Sequence, residues 1–64
     1  MGKIKVLLIE DDPMVREVNR QFIERVDGFS VIGYAGNGVE GIKQIEALQP
    51  DLVFMDIFMP EQDG

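Results

Sequence analysis

The stretch Ile4-Lys5-Val6-Leu7-Leu8-Ile9-Glu10-Asp11-Asp12-Pro13 decides the fold. Five of its first six residues are apolar, and a short, nearly continuous run of this kind reads as a strand buried on both faces, the mark of a parallel sheet. Three carboxylates follow at once. Asp12-Pro13 then has the form of a helix start, with Asp as N-cap and Pro at the first helical position. Downstream, Val15, Val18, Phe22 and Val26 recur at steps of three and four with Ile23 beside them, while Arg16, Glu17, Arg20 and Glu24 fill the other side. This periodicity predicts an amphipathic helix to about Val26, closed by Asp27-Gly28, with the apolar stripe as its buried face.

Further on, Phe29, Val31, Ile32 and Tyr34 predict a second strand, less uniformly apolar and so nearer a sheet edge, with Tyr34 a packing residue. Asn37-Gly38 breaks it. Val39, Ile42, Ile45 and Leu48 predict a second amphipathic helix ending before Pro50, in which Gly41 costs about 1 kcal/mol relative to Ala. Asp51-Leu52-Val53-Phe54-Met55 predicts a third buried strand leading into Asp56. Alternation of strands and helices with short connections implies right-handed crossovers and a doubly wound α/β unit. Functional groups gather at the carboxyl ends of strands in such a sheet, and Glu10, Asp11 and Asp56 all follow strands.

Composition narrows the chemistry. The 64 residues allow one small unit, and a chain of this size buries only about 60% of its unfolded surface. A hydrophobic fraction of 45% with 28% charged residues is globular rather than disordered. A net charge of −6 with six dispersed basic residues argues against nucleic-acid binding by this segment. Cysteine and histidine are absent, which removes disulfides, zinc sites of the usual kinds and any histidine base. The apolar runs are too short to span a membrane, and the amino terminus lacks a signal-peptide pattern, so a cytoplasmic protein is expected.

Carboxylates brought together repel one another, and a hard divalent cation removes that cost. Mg²⁺ takes one or two carboxylates with water and phosphate oxygens, and a remaining carboxylate is a competent nucleophile for a phosphoryl group. Each acid also has a structural reading: Asp12 as a helix cap, Asp56 as a solvated loop residue. Met14, Met55 and Met59 read as core and loop packing rather than as a soft-metal site.

Asp56-x-x-Met59-Pro60-x-x-Asp63-Gly64, together with Glu10-Asp11-Asp12 after the first strand, resembles the receiver domain of bacterial response regulators, in register over the whole chain. Glu10-Asp11-Asp12-Pro13-Met14-Val15, with Gly28-Phe29 and Asn37-Gly38, is most similar to the citrate- and dicarboxylate-responsive branch. The resemblance implies a flavodoxin-like fold with strand order 2-1-3 for the portion present. It implies that Asp56 accepts a phosphoryl group from a sensor histidine kinase, that Asp11 binds Mg²⁺ directly with Glu10 helping through water, and that Asp56 and the Phe58 carbonyl supply further ligands. Met59 and Pro60 would shape the adjoining loop, and the helix segment from Met14 to Arg20 would help dock the kinase.

Set against the family pattern, residues 1–64 are expected to be the amino-terminal half of a receiver. The fourth and fifth strands, the last three helices and any output domain would lie elsewhere. An unpaired third strand is then expected to seek a symmetric partner, giving a homodimer. The expected function is that of a phosphoacceptor module, not an enzyme, controlling transcription in its intact parent. The alternatives are an inert, self-associating half-domain and a Mg²⁺-dependent aspartyl phosphohydrolase. The second is disfavoured because Phe58 stands where such enzymes resembling haloacid dehalogenases carry a second Asp.

Overall fold

The computed structural model describes residues 2–55. The element order is β1 (Ile4–Ile9), α1 (Pro13–Glu24), β2 (Phe29–Ala35), α2 (Gly38–Leu48) and β3 (Leu52–Met55). The strands form one sheet in the order β2-β1-β3, with both pairings parallel. This is the doubly wound α/β arrangement and strand order expected from the sequence. β2 is an edge strand, and β3 carries no further strand on its outer side among the described residues.

The apolar run of β1 is central because it is the strand that can be buried on both sides. Val6, Leu7, Leu8 and Ile9 are 0–1% exposed. Val6 and Leu8 pack with Ile23, Phe29 and Val31 on the α1 face, and Leu7 and Ile9 pack with Ala35 and Val53 on the other. Asp51 fastens the start of β3: its carboxylate accepts from the Lys5 amide at 2.9 Å and its own amide donates to the Lys5 carbonyl at 2.8 Å.

The β1–β2 register slips between Val6 and Leu7, so that Val6 faces Val31 but Leu7 faces Gly33. Ile32 is the extra residue of a bulge, a feature that parallel pairs rarely carry. Beyond it, Leu8 pairs with Tyr34 and Ile9 with Ala35.

Both helices meet the sheet largely beside the stripes expected to do so, Leu48 being the stripe residue of α2 that reaches β2. On α1 the buried residue is Ile23, while Val15, Val18, Phe22 and Val26 are 39–62% exposed. Arg16, Asn19 and Arg20, one and two turns before Ile23, are the partly covered positions. α1 lies over β1 and β2, so its apolar stripe leans out beyond their joint core. Its polar side carries Arg20 bridging Glu17 at 2.6 Å and Glu24 at 3.2 Å. The hydrogen bond from Arg20 lowers the Glu17 pKa to about 2, so this exposed carboxyl stays ionised far into acid. α1 ends at Glu24, two residues short of the expected boundary, where the Arg25 and Val26 amides turn back to the Phe22 and Ile23 carbonyls. Gly28, at φ 92°, then reverses the chain into β2.

On α2 the close contact is made by Gly41, with Gln44 and Leu48 partly covered, whereas Val39, Ile42 and Ile45 are exposed. A Cβ on Gly41 would overlap the Ile9 side chain, and one on Gly33 would stand 2.7 Å from Leu48 Cδ1. The two glycines let the helix and sheet backbones approach, which offsets the helix-propensity cost of Gly41. Met14 and Met55 are 77% and 59% exposed, against the expectation that the methionines pack inside; Met59 lies outside the described residues.

Gly41→Ala tests this contact. Helix propensity alone would stabilise the variant by about 1 kcal/mol. Overpacking against Ile9, which is 1% exposed, costs about 1–3 kcal/mol. A lowered urea midpoint is expected; an unchanged or raised midpoint would show that the helix can move away freely.

Candidate functional site

All three strands end at one level, since Ile9 is in register with both Ala35 and Met55. The two residues that follow these ends on β1 and β3 are Glu10 and Asp56. α1 leads from β1 to β2 over one face of the sheet, and α2 crosses back to β3 over the other. The carboxyl edge of the parallel sheet is where ligands bind in doubly wound folds.

The three acids after β1 are placed in different ways. Glu10 prolongs the ladder, its amide donating to the Ala35 carbonyl at 3.0 Å, and only 4% of the residue is exposed. Its Oε2 accepts from the Asp12 amide at 3.0 Å. Asp12, in extended backbone at φ −94° and ψ 117°, caps α1: its Oδ1 accepts from the Met14 amide at 2.8 Å and the Val15 amide at 3.3 Å. The structural reading of Asp12 is therefore the observed one. Asp11 is exposed, and its side chain makes no hydrogen bond or ion pair among the described residues.

One cation stands over this turn. Arg16 Nη1 donates to the Glu10 carbonyl at 3.4 Å, and its guanidinium carbon lies 4.8 Å from the centre of the Tyr34 ring. Tyr34 is 54% exposed, so it is a platform at the sheet edge and not the packing residue expected. The sequence carried no direct signal for this pair, because simple alternation along β2 does not reveal the bulge at Ile32.

Mg²⁺ is the metal that the acidic pair implies, and the donor set fits it: hard carboxylate oxygens with neither imidazole nor thiolate nearby. Among the described residues no group of three or more candidate ligands converges. Asp11 offers an uncommitted carboxylate beside that of Glu10, and Mg²⁺ needs one or two with water completing its shell. Asp56 and Phe58, the other expected site residues, lie outside the described residues, as does Pro60.

A parallel sheet in the order β2-β1-β3 with a helix on each face and an acidic turn after β1 is of the doubly wound α/β class. The chain belongs to the response regulator receiver domain family, whose model matches residues 6–64. It is 66% identical over 59 residues to a probable C4-dicarboxylate response regulator, DctR, of Priestia megaterium, covering 92% of this chain and 26% of that protein. The response regulator domain of Thermotoga maritima CheB superposes with a TM-score of 0.82 at 34% identity, over 97% of this chain and 46% of that one. The signal receiver domain of the putative response regulator NarL from Mycobacterium tuberculosis does so with a TM-score of 0.83 at 30% identity, over 100% and 52%. The chain thus spans about a quarter of the curated relative and about half of the solved receiver structures.

The division of labour between Asp12 and Asp11 can be tested. Asp12→Ala should cost about 1 kcal/mol of stability through loss of the cap, and Asp12→Asn much less. Neither should weaken Mg²⁺ binding, whereas Asp11→Asn should, measured by titration followed by NMR. An Asp12→Asn variant that loses the cation while keeping its stability would contradict the assignment.

Proposed function

We propose that this chain is the amino-terminal half of a phosphoacceptor receiver, in which Asp56 takes a phosphoryl group from the phosphohistidine of a sensor kinase. The observation that carries the reading is the Ile9–Met55 register, which ends β1 and β3 level one residue before Glu10 and Asp56. A carboxylate oxygen of Asp56 forms the new bond to phosphorus as the P–N bond of the phosphohistidine breaks, and its electron pair returns to the imidazole. Asp11, Asp56 and the carbonyl of Phe58, with Glu10 through water, would hold Mg²⁺. When bound, the cation offsets the charge that gathers on the transferring group. The kinase docks by the Met14–Arg20 segment of α1.

The 46% and 52% coverage of the solved receivers supports placing the fourth and fifth strands and last three helices beyond this segment. The similarity to DctR supports a parent that controls transcription in response to dicarboxylates and that acts as a signalling protein rather than an enzyme. No helix among the described residues is long and apolar enough to cross a membrane, and a cytoplasmic site of action fits a module that meets a kinase domain.

In the full-length protein carrying this segment, a small-molecule donor such as acetyl phosphate with Mg²⁺ should add one phosphoryl group, read by intact mass. Asp56→Asn should abolish the increment and Asp11→Asn should reduce it at least tenfold. Persistent labelling of Asp56→Asn would overturn the reading.

The outer edge of β3 favours a second reading for the 64-residue chain, namely a homodimer in which two copies of β3 pair antiparallel about a two-fold axis. Leu52 and Phe54 are 42% and 39% exposed there, and with Val6, Ile23, Val26 and Phe29 they line an apolar recess beside the edge. Light scattering should give twice the chain mass, and Phe54→Lys should return a monomer; a folded monomer of the unaltered chain would exclude the pairing.

A further inference from the structure

Arg16 is placed where it ought to interfere with a cation site. It lies four residues after Asp12 and five after Asp11, and an aspartate and arginine one helical turn apart ordinarily form an ion pair. The ion pairs among the described residues are instead those of Arg20 with Glu17 and Glu24. Two contacts hold Arg16 elsewhere. The Tyr34 ring lies under its guanidinium, 4.8 Å from centroid to carbon, and the Glu10 main-chain carbonyl accepts from Nη1 at 3.4 Å. The same nitrogen passes Gly36, 3.8 Å from where a Cβ would stand, so the guanidinium spans the ends of both β1 and β2. A planar guanidinium suits this double engagement, since it can stack on a ring face while donating in its own plane.

The geometry points to Tyr34 as a positioning residue for the acidic turn: its ring seats Arg16 over the β1–β2 ends and away from Asp11, leaving that carboxylate open to a divalent cation. The inference rests on the reading of Asp11 as a Mg²⁺ ligand. Tyr34 touches neither cation nor phosphoryl group and acts only through Arg16. Without the ring, the guanidinium is released beside the first-turn carboxylates, where it competes with the cation for Asp11. The aromatic face is what matters, so Phe should serve where Leu does not.

Mg²⁺ titration of the full-length protein, followed by NMR shifts of the Glu10–Asp12 amides, provides the test. A stack of this kind at an exposed site corresponds to about a two- to fivefold change in affinity. Tyr34→Leu should weaken binding by that factor, and Tyr34→Phe should leave it unchanged. In an Arg16→Gln background, Tyr34→Leu should have no effect, because the group it controls is gone. Circular dichroism of each variant checks that the fold is retained, and the Tyr34→Phe comparison excludes a role for the hydroxyl. If Tyr34→Leu leaves affinity unchanged while Asp11→Asn abolishes it, the positioning role is overturned and the cation reading stands. If the Tyr34→Leu effect persists without Arg16, the ring acts by packing and the role is again overturned. If Asp11→Asn itself changes nothing, the cation reading fails and the inference falls with it.

Discussion

Val6, Leu7, Leu8 and Ile9 are at most 1% exposed, and their enclosure from both faces and both edges is the constraint to which the other elements answer. Full burial of such a side chain contributes about 1.5–3 kcal/mol. A strand with apolar groups on both faces needs a helix on each side and a neighbour along each edge. The two crossovers, α1 toward β2 and α2 back toward β3, supply all four. The chain direction that satisfies this burial also brings three strand ends level at one rim. The position of the acids is thus a consequence of the core.

Three adjacent carboxylates at that rim would be costly if all were equivalent, since like charges this close oppose one another's ionisation. The turn separates them by task. Glu10 is drawn inward and bonded to the amide of Asp12; Asp12 faces the first turn of α1 and meets two amides that would otherwise lack partners. Asp11 is left to the solvent. The turn therefore carries three carboxylates in a row, with the flanking two bonded to amides of the loop that presents the third.

The strands, helices, sheet order and edge position of β2 were legible because the two-sided burial of β1 and Asp-Pro helix entry leave plain marks in a sequence, but β3, expected to be buried, has Leu52, Phe54 and Met55 39–59% exposed. The family was legible from the acidic triplet and the loop after the third strand. Helix orientation was not. The apolar spacing of Val15, Val18, Phe22 and Val26 marks a face that needs cover, but it does not say which described element covers it, and the sheet contact fell to Ile23 beside that stripe. For α2 the informative residue was Gly41, whose propensity cost is visible in sequence while its purpose, access for Ile9, is visible only in three dimensions. Tyr34 was misread for a related reason: an aromatic on a strand is usually packing, and its exposure depends on a change of phase that no residue type announces.

That change of phase has a consequence of its own. Side chains alternate along a strand, so one additional residue exchanges the faces of everything after it. Because Ile32 is counted out of the pairing, Gly33 joins Leu7 beneath α2 and Tyr34 joins Leu8 on the side of α1. Counted in, the same letters would put Ile32 opposite Leu7 under α2, where 2.7 Å separates a Cβ from Leu48, and would leave Arg16 above a glycine. The bulge works as a frameshift in the spatial reading of β2. One spacer residue outside the ladder decides that the smallest side chain meets one helix and an aromatic ring meets the other, so drawing Ile32 into the pairing would rewrite both faces of the edge while changing no residue.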